Sequence, residues 1–114
     1  MDNELYGEIV IEDEVIIQYA TEEIYKIDGV TRLVGGISES FSKNILGRES
    51  VNQGIKVNRN DGCATIDVHI VVKFGVNIPQ VAFEIQNKVK EVLEQNTGIV
   101  IEAVNINVEG VEKQ

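Results

Sequence analysis

The stretch Ala64-Thr65-Ile66-Asp67-Val68-His69-Ile70-Val71-Val72-Lys73-Phe74 decides the fold. It alternates for most of its length, and successive side chains on a strand point to opposite faces. Ala64, Ile66, Val68, Ile70, Val72 and Phe74 therefore share one face. Thr65, Asp67, His69, Val71 and Lys73 share the other. One apolar face and one polar face predict a strand covered on a single side.

The neighbours of this strand extend the pattern. Upstream, Gly54 to Arg59 alternates, with Ile55 and Val57 on one face, and Asn60-Asp61-Gly62 supplies residues that tolerate positive φ. A hairpin follows from that arrangement. Downstream, Gly75 ends the long strand and Pro79 falls in the first turn of a helix, where its missing N–H is harmless. Ile78, Val81, Ala82, Ile85, Val89, Val92 and Leu93 recur at helical spacing. Glu84 with Lys88, and Lys90 with Glu94, are pairs four residues apart on the exposed side. Gly98 closes the helix, and Val100 to Glu109 reads as a last strand with Val104, Ile106 and Val108 inward. Strand, helix, strand in so short a span is a crossover unit, so its two strands should be parallel.

The first third of the chain is read with the same rules. Gly7 to Ile11 is a candidate short strand, and Asp13 a candidate N-cap. Ile16, Ala20, Ile24 and Ile27, with Tyr19 beside them, mark a helix that Gly29 stops. Thr31 to Gly35 is expected as a short strand and Ser38 to Leu46 as a short helix. The whole reads as one α+β domain over residues 1–114, with short termini, 1–6 and 111–114, expected to be mobile. Its architecture is two-layered: a small mixed sheet with helices on one face. Thr65, Asp67, His69, Lys73, Asn105 and Asn107 would populate the open face as an interaction surface.

Composition bounds the partners. The 114 residues include 19 acids against 10 Lys and Arg, a net charge of -9. Nucleic-acid affinity comes mostly from basic residues neutralising phosphates, and anionic lipid attracts the same residues. The balance opposes both, and no aromatic residue falls on the expected open face to stack a base. Residues 1–30 hold nine acids and one base. That excess reads as a solvated helix face or, more sharply, as an acidic docking face built from Glu12, Asp13, Glu22 and Glu23. A single cysteine allows no intrachain disulfide, the amino terminus lacks signal-peptide character, and no apolar run is long enough to span a bilayer. The expected location is the cytoplasm, with membrane association only through a partner.

Catalytic constellations are weak. Cys63, Asp67 and His69 share strand parity, a combination that could suggest nucleophilic catalysis. Same-face positions are about 7 Å apart along a strand, which separates Cys63 from His69 by about 20 Å. One His and one Cys do not make a zinc site. Glu12-Asp13-Glu14 lacks calcium-loop spacing, and helix N-terminal acids favoured by the dipole explain it better. The glycines between Gly29 and Gly36 match neither a P-loop nor a dinucleotide fingerprint. No catalytic residue, metal or cofactor is expected.

In this order the segments carry a resemblance. Gly7-Glu8-Ile9-Val10-Ile11, Val15-Ile16 with Ala20, Asp28-Gly29-Val30, Gly54-Ile55-Lys56-Val57 and Val71-Val72-Lys73-Phe74-Gly75 come first. Asn77-Ile78-Pro79-Gln80-Val81-Ala82, Gln86-Asn87-Lys88-Val89, Thr97-Gly98, Val104-Asn105-Ile106-Asn107-Val108 and Gly110-Val111 complete it. The chain resembles the alkaline-shock, or envelope-stress, protein family of Gram-positive bacteria from Gly7 to Val111. It departs from the family pattern in a more acidic first helix, interrupted by Tyr19 and Glu23, and in Phe74 where Tyr is more usual. The resemblance implies a cytosolic, non-enzymatic protein with no catalytic residues to carry over. Some members self-associate and are held at the membrane by a small anchored partner; others are linked to control of fatty-acid synthesis at acetyl-CoA carboxylase. Two functions are therefore expected: an interaction scaffold acting through itself or a membrane-anchored protein, and alternatively a regulator of that enzyme. The acidic first helix would serve the second reading by docking on a basic surface, in a salt-sensitive way.

Overall fold

The computed structural model describes residues 6–35, 50–52 and 54–113. In chain order these form α1 (Asp13–Tyr25), β1 (Val30–Leu33), β2 (Ser50–Asn52), β3 (Ile55–Asn60), β4 (Cys63–Lys73), α2 (Ile78–Thr97) and β5 (Val100–Glu112). The helix expected over Ser38 to Leu46 lies outside the described residues.

The long alternating strand is β4, and the sheet is built around it. β3 pairs with its first half, antiparallel, from Asn60 opposite Cys63 to Ile55 opposite Val68. β1 pairs with its last third, also antiparallel, through Leu33 opposite Ile70 and Val30 opposite Val72. β3 and β1 thus follow one another along the same edge of β4. The whole opposite edge is taken by β5, parallel, from Cys63 opposite Val100 to Lys73 opposite Glu112. β2 adds to the outer edge of β3. The expected mixed sheet and parallel crossover are both present, with β4 and β5 as direct neighbours.

One apolar layer joins sheet and helices. Ile55, Val57, Ala64, Ile66, Val68, Ile70 and Val72 of the sheet pack with Ile16, Ile17, Ala20 and Ile24 of α1 and with Val81, Ile85, Val89 and Leu93 of α2. The α2 residues repeat every four positions, so they form one stripe on the helix. Fully burying a side chain of this size contributes about 1.5–3 kcal/mol, and the absence of Trp is met by many Ile and Val on both layers. α1 lies over the β3 and β1 side and against α2, and α2 lies over β5.

The turns and caps follow local chemistry. Asp61 (φ 51°) and Gly62 (φ 81°) make the hairpin turn between β3 and β4 with two positive-φ residues in succession. Asn77 caps α2 by accepting from the Gln80 N–H at 3.1 Å, Pro79 sits in the first turn, and Gly98 ends the helix at φ 74°.

Several expectations need correction. Gly7 to Ile11 is not a strand: Ile9 and Val10 are 78% and 65% exposed, and the segment pairs with no described strand. Glu12, without a side-chain cap bond, takes the N-cap position of α1, and Asp13 is the first helical residue. Phe74 does not join the buried face. β4 ends at Lys73, and Gly75 turns the chain at φ 95°, leaving Phe74 65% exposed with the Lys113 Nζ 5.2 Å from its ring centre. Val71 lies on the polar face yet is only 4% exposed, because it opposes Gly110 and packs over that side-chain-free position. Among the described residues Lys90 pairs with Glu94 at 3.0 Å, whereas Glu84 and Lys88 form no ion pair. β5 runs to Glu112, three residues past its expected end.

The passage from β1 to β3 along the β4 edge turns on Gly54. The Val34 N–H donates to the His69 carbonyl and the His69 N–H to the Gly54 carbonyl, both at 2.9 Å. A Cβ on Gly54 would stand 2.6 Å from the Val34 carbonyl oxygen and 3.0 Å from that of His69, at a φ of 86°. Gly54→Ala therefore meets both backbone strain and collision with backbone that cannot rotate away. It should cost at least about 2 kcal/mol in urea denaturation. Gly62→Ala has positive φ but open space around it, and should cost about 1 kcal/mol.

The start of β5 is protected by α2. Glu94 accepts from the Ile101 N–H at 2.9 Å, and Lys90 donates to the Ile101 carbonyl at 2.7 Å. The Ile101 backbone bond, then the Lys90 contact, hold the Glu94 carboxyl below the usual carboxylate range. A depressed folded pKa means that the stabilisation is full above the unfolded pKa and is lost as pH falls through the folded one. Glu94→Gln should thus lower the melting temperature at neutral pH, and thermal melts should show that gap closing as pH falls into the acid range.

Candidate functional site

The face of the sheet away from the helices carries the residues singled out in the sequence. It is assembled by register. Asp67 on β4 lies opposite Lys56 on β3 and Asn105 on β5, and His69 lies opposite Asn107. Asp67 is the centre of this surface. Its carboxylate accepts from the Asn58 side-chain amide at 3.3 Å and from the Asn105 amide at 2.8 Å, one on each oxygen. Three strands are therefore tied together by a row of side chains running across the sheet, the cross-strand contact that stabilises such faces.

His69 is the next polar position along β4. Its Nδ1 lies 2.5 Å from a Glu109 carboxylate oxygen, and both side chains are partly exposed. Asn107 stays exposed and donates to the Val68 carbonyl at 3.3 Å. At the far end of the face, Arg32 pairs with Glu112 at 3.0 Å, and Lys73 stands 3.7 Å from Asp28. Thr65 shares the face of Asp67 and His69 and is half-buried. The structure thus brings Asp67, His69, Asn105 and Asn107 together in adjacent registers, while Lys73 sits at the other end of the strand. Asn58, Glu109 and Arg32 belong to the same surface and were not singled out from the sequence. For Asn58 the signal was available in the hairpin register. For Glu109 and Arg32 it was not, because their partners are 40 and 80 residues away.

The contacts on this surface are hydrogen bonds and a His–carboxylate pair. Cys63 pairs with Asn60 and Val100 at the start of β4, six residues before His69, so thiol and imidazole do not meet. The Asp67 carboxylate is occupied by two amides and the imidazole by a carboxylate. Among the described residues no group of three His, Cys, Asp or Glu side chains converges as a metal site would require.

The acidic residues of the first helix do not form one patch. Asp13 is paired with Arg59 at 2.7 Å, and Arg59 also donates to the Ile11 carbonyl at 2.5 Å. Glu23 is paired with Lys26 at 3.1 Å. Glu12 and Asp13 lie at the start of α1 and Glu22 and Glu23 near its end, separated by about 15 Å at 1.5 Å per residue. No helix among the described residues is long and apolar enough to cross a membrane.

Comparison with known proteins places this geometry. Two Bacillus subtilis (strain 168) proteins are similar over nearly the whole chain. YloU is 34% identical over 112 residues, covering 93% of this chain and 89% of its own length. YqhY is 33% identical over 106 residues, covering 93% of this chain and 78% of its own. A stress response regulator gls24 homolog of Streptococcus pyogenes is 24% identical over 102 residues, 90% of this chain and 57% of the longer protein. Among solved structures, a variant of the MamM CTD superposes with a TM-score of 0.54 at 16% identity, covering 89% of this chain and 100% of that one, a likeness of fold alone. The model of the alkaline shock protein 23 family, described by its cell envelope-related function, matches residues 1–113, and the chain belongs to that family.

Proposed function

We propose that this protein is a non-catalytic interaction module of the envelope-stress response. It acts on the cytoplasmic side, through self-association or through a membrane-anchored protein partner. The observation that carries the reading is the open sheet face. Asp67, Asn58 and Asn105 form a preorganised row of hydrogen-bonding groups, with the His69–Glu109 pair beside it. These groups are held by one another across three strands. Such a surface presents fixed, partly exposed polar groups to another protein at little ordering cost. The family membership and the stress-regulator relative support the same reading.

Two measurements test it. Size-exclusion chromatography with light scattering over a range of concentrations should give a mass that rises above that of one chain. Affinity purification from the native host, with membrane and soluble fractions kept apart, should recover a specific protein partner. A strict monomer that captures no partner from either fraction would overturn the proposal. The double substitution Asp67→Ala with Asn105→Ala removes the centre of the row from a solvated face. It should change stability by no more than about 1 kcal/mol in urea melts. It should reduce recovery of the partner, or self-association, by at least about fivefold, the effect of losing roughly 1 kcal/mol of polar contact.

A further inference from the structure

Among the described residues β5 is an edge strand, and α2 meets only the backbone of its first half. The Ile101 N–H and C=O are met by Glu94 and Lys90, and the Val104 carbonyl accepts from the Gln86 amide at 3.0 Å. These backbone groups point away from β4. Gln86, Lys90 and Glu94 are four residues apart and form one row on α2, facing the edge. At 100° per residue the same row continues toward the helix start through Phe83. Phe83 cannot hydrogen-bond, and it is 60% exposed.

Where the row changes character, the edge opens. The pairing of β5 with β4 is regular from Ala103 to Val108. Backbone direction alternates along a strand, so the N–H and C=O of Ile106 and Val108 point outward as those of Val104 do. The β4 strand agrees. The His69 N–H and C=O go to Gly54 and Val34 on the other edge, leaving Val68 and Ile70 to face β5. Among the described residues, no partner meets the outward groups of Ile106 and Val108. Edge strands are commonly guarded by charge, proline or a covering element. Ala103 to Val108 has no charged residue and no proline.

The sequence of this open edge names its occupant. Val104-Asn105-Ile106-Asn107-Val108 is a palindrome centred on Ile106. We propose that two copies of the chain pair through this edge, β5 against β5 and antiparallel, about a two-fold axis at Ile106. This deepens the self-association reading of the preceding section and rests on it. The register sets Ile106 opposite Ile106, Val104 opposite Val108, and Asn105 opposite Asn107, so every pair is like with like and uncharged. An isologous contact requires that kind of self-complementarity. The nearest acids, Glu102 and Glu109, fall outside the palindrome, which keeps like charges from the axis in a chain of net charge -9. Because Gln86 reaches the Val104 carbonyl, helix geometry sets Phe83, about one turn earlier, near the level of Ile106. The two Phe83 rings therefore flank the axis on the helical side and cover apolar surface that each copy alone leaves exposed. The two five-stranded sheets become one continuous sheet.

The test uses the full chain. In a Cys63→Ser background, Asn105→Cys and Asn107→Cys are made as separate single-cysteine proteins and oxidised alone and as a mixture. Directly opposed side chains are about 5 Å apart at Cβ and diagonal ones about 7 Å. The mixture should give at least about fivefold more disulfide-linked dimer than either protein alone. Phe83→Glu changes an exposed residue, and its fold is checked by circular dichroism. Two carboxylates beside the axis should weaken the dimer at least about tenfold in sedimentation equilibrium, since like charges across an interface cost more than 1 kcal/mol. Self-association that is unchanged by Phe83→Glu and gives no excess cross-link in the mixture would overturn the β5 edge as the interface while leaving self-association standing. A chain that stays monomeric at every concentration overturns this proposal and leaves the membrane-anchored partner to be judged by affinity purification.

Discussion

The structure depends on the central position of β4, which pairs on both edges along most of its length. Its eleven residues bond β5 along one side and β3 and then β1 along the other. Parity along this strand sets everything else. The even-numbered residues from Ala64 to Val72 lie under the helices and anchor the core. The odd-numbered residues from Thr65 to Lys73 supply the open face. A one-residue slip would turn the core set outward and bring Asp67 and His69 beneath α1 and α2, so register is strongly specified.

Gly54 and the bulged pairing of β1 show the cost of placing two strands in series on one edge. The chain must leave β4 after Leu33 and return before Ile55, with the His69 backbone bonded to both sides of the junction. Only a residue without a Cβ fits between the Val34 and His69 carbonyls. On the opposite edge, the single strand β5 avoids that problem and creates another. A parallel edge strand longer than the helix row above it leaves part of its backbone unprotected. The row Gln86, Lys90 and Glu94 resolves this for Ile101 to Val104, with a carboxylate, an ammonium and an amide matched to donor and acceptor.

The polar face owes its character to satisfaction within the sheet. Asp67 accepts from a neutral amide on each neighbouring strand, and His69 is joined to a carboxylate on β5. These contacts fix the orientation of the side chains across adjacent strands. Along β4 the polar positions recur at intervals of about 7 Å, and the contacts run across the strands.

The sequence by itself determined the architecture. The alternation in β4, the Asn60-Asp61-Gly62 turn, the α2 stripe and the alternation in β5 are local patterns, and periods of 2 and 3.6 residues need no knowledge of the rest of the chain. Four of the open-face residues, Asp67, His69, Asn105 and Asn107, were legible for the same reason. Tertiary structure alone decided which partners they meet. The Arg32–Glu112 and His69–Glu109 contacts join strands whose register follows from pairing, not from spacing in the chain. It also overruled local pattern at Gly7 to Ile11, where β-prone residues pair with no described strand, and at Val71, which is buried because Gly110 leaves room beside it. Local sequence sets which face a side chain takes. Whether that face is covered depends on what the rest of the chain places against it.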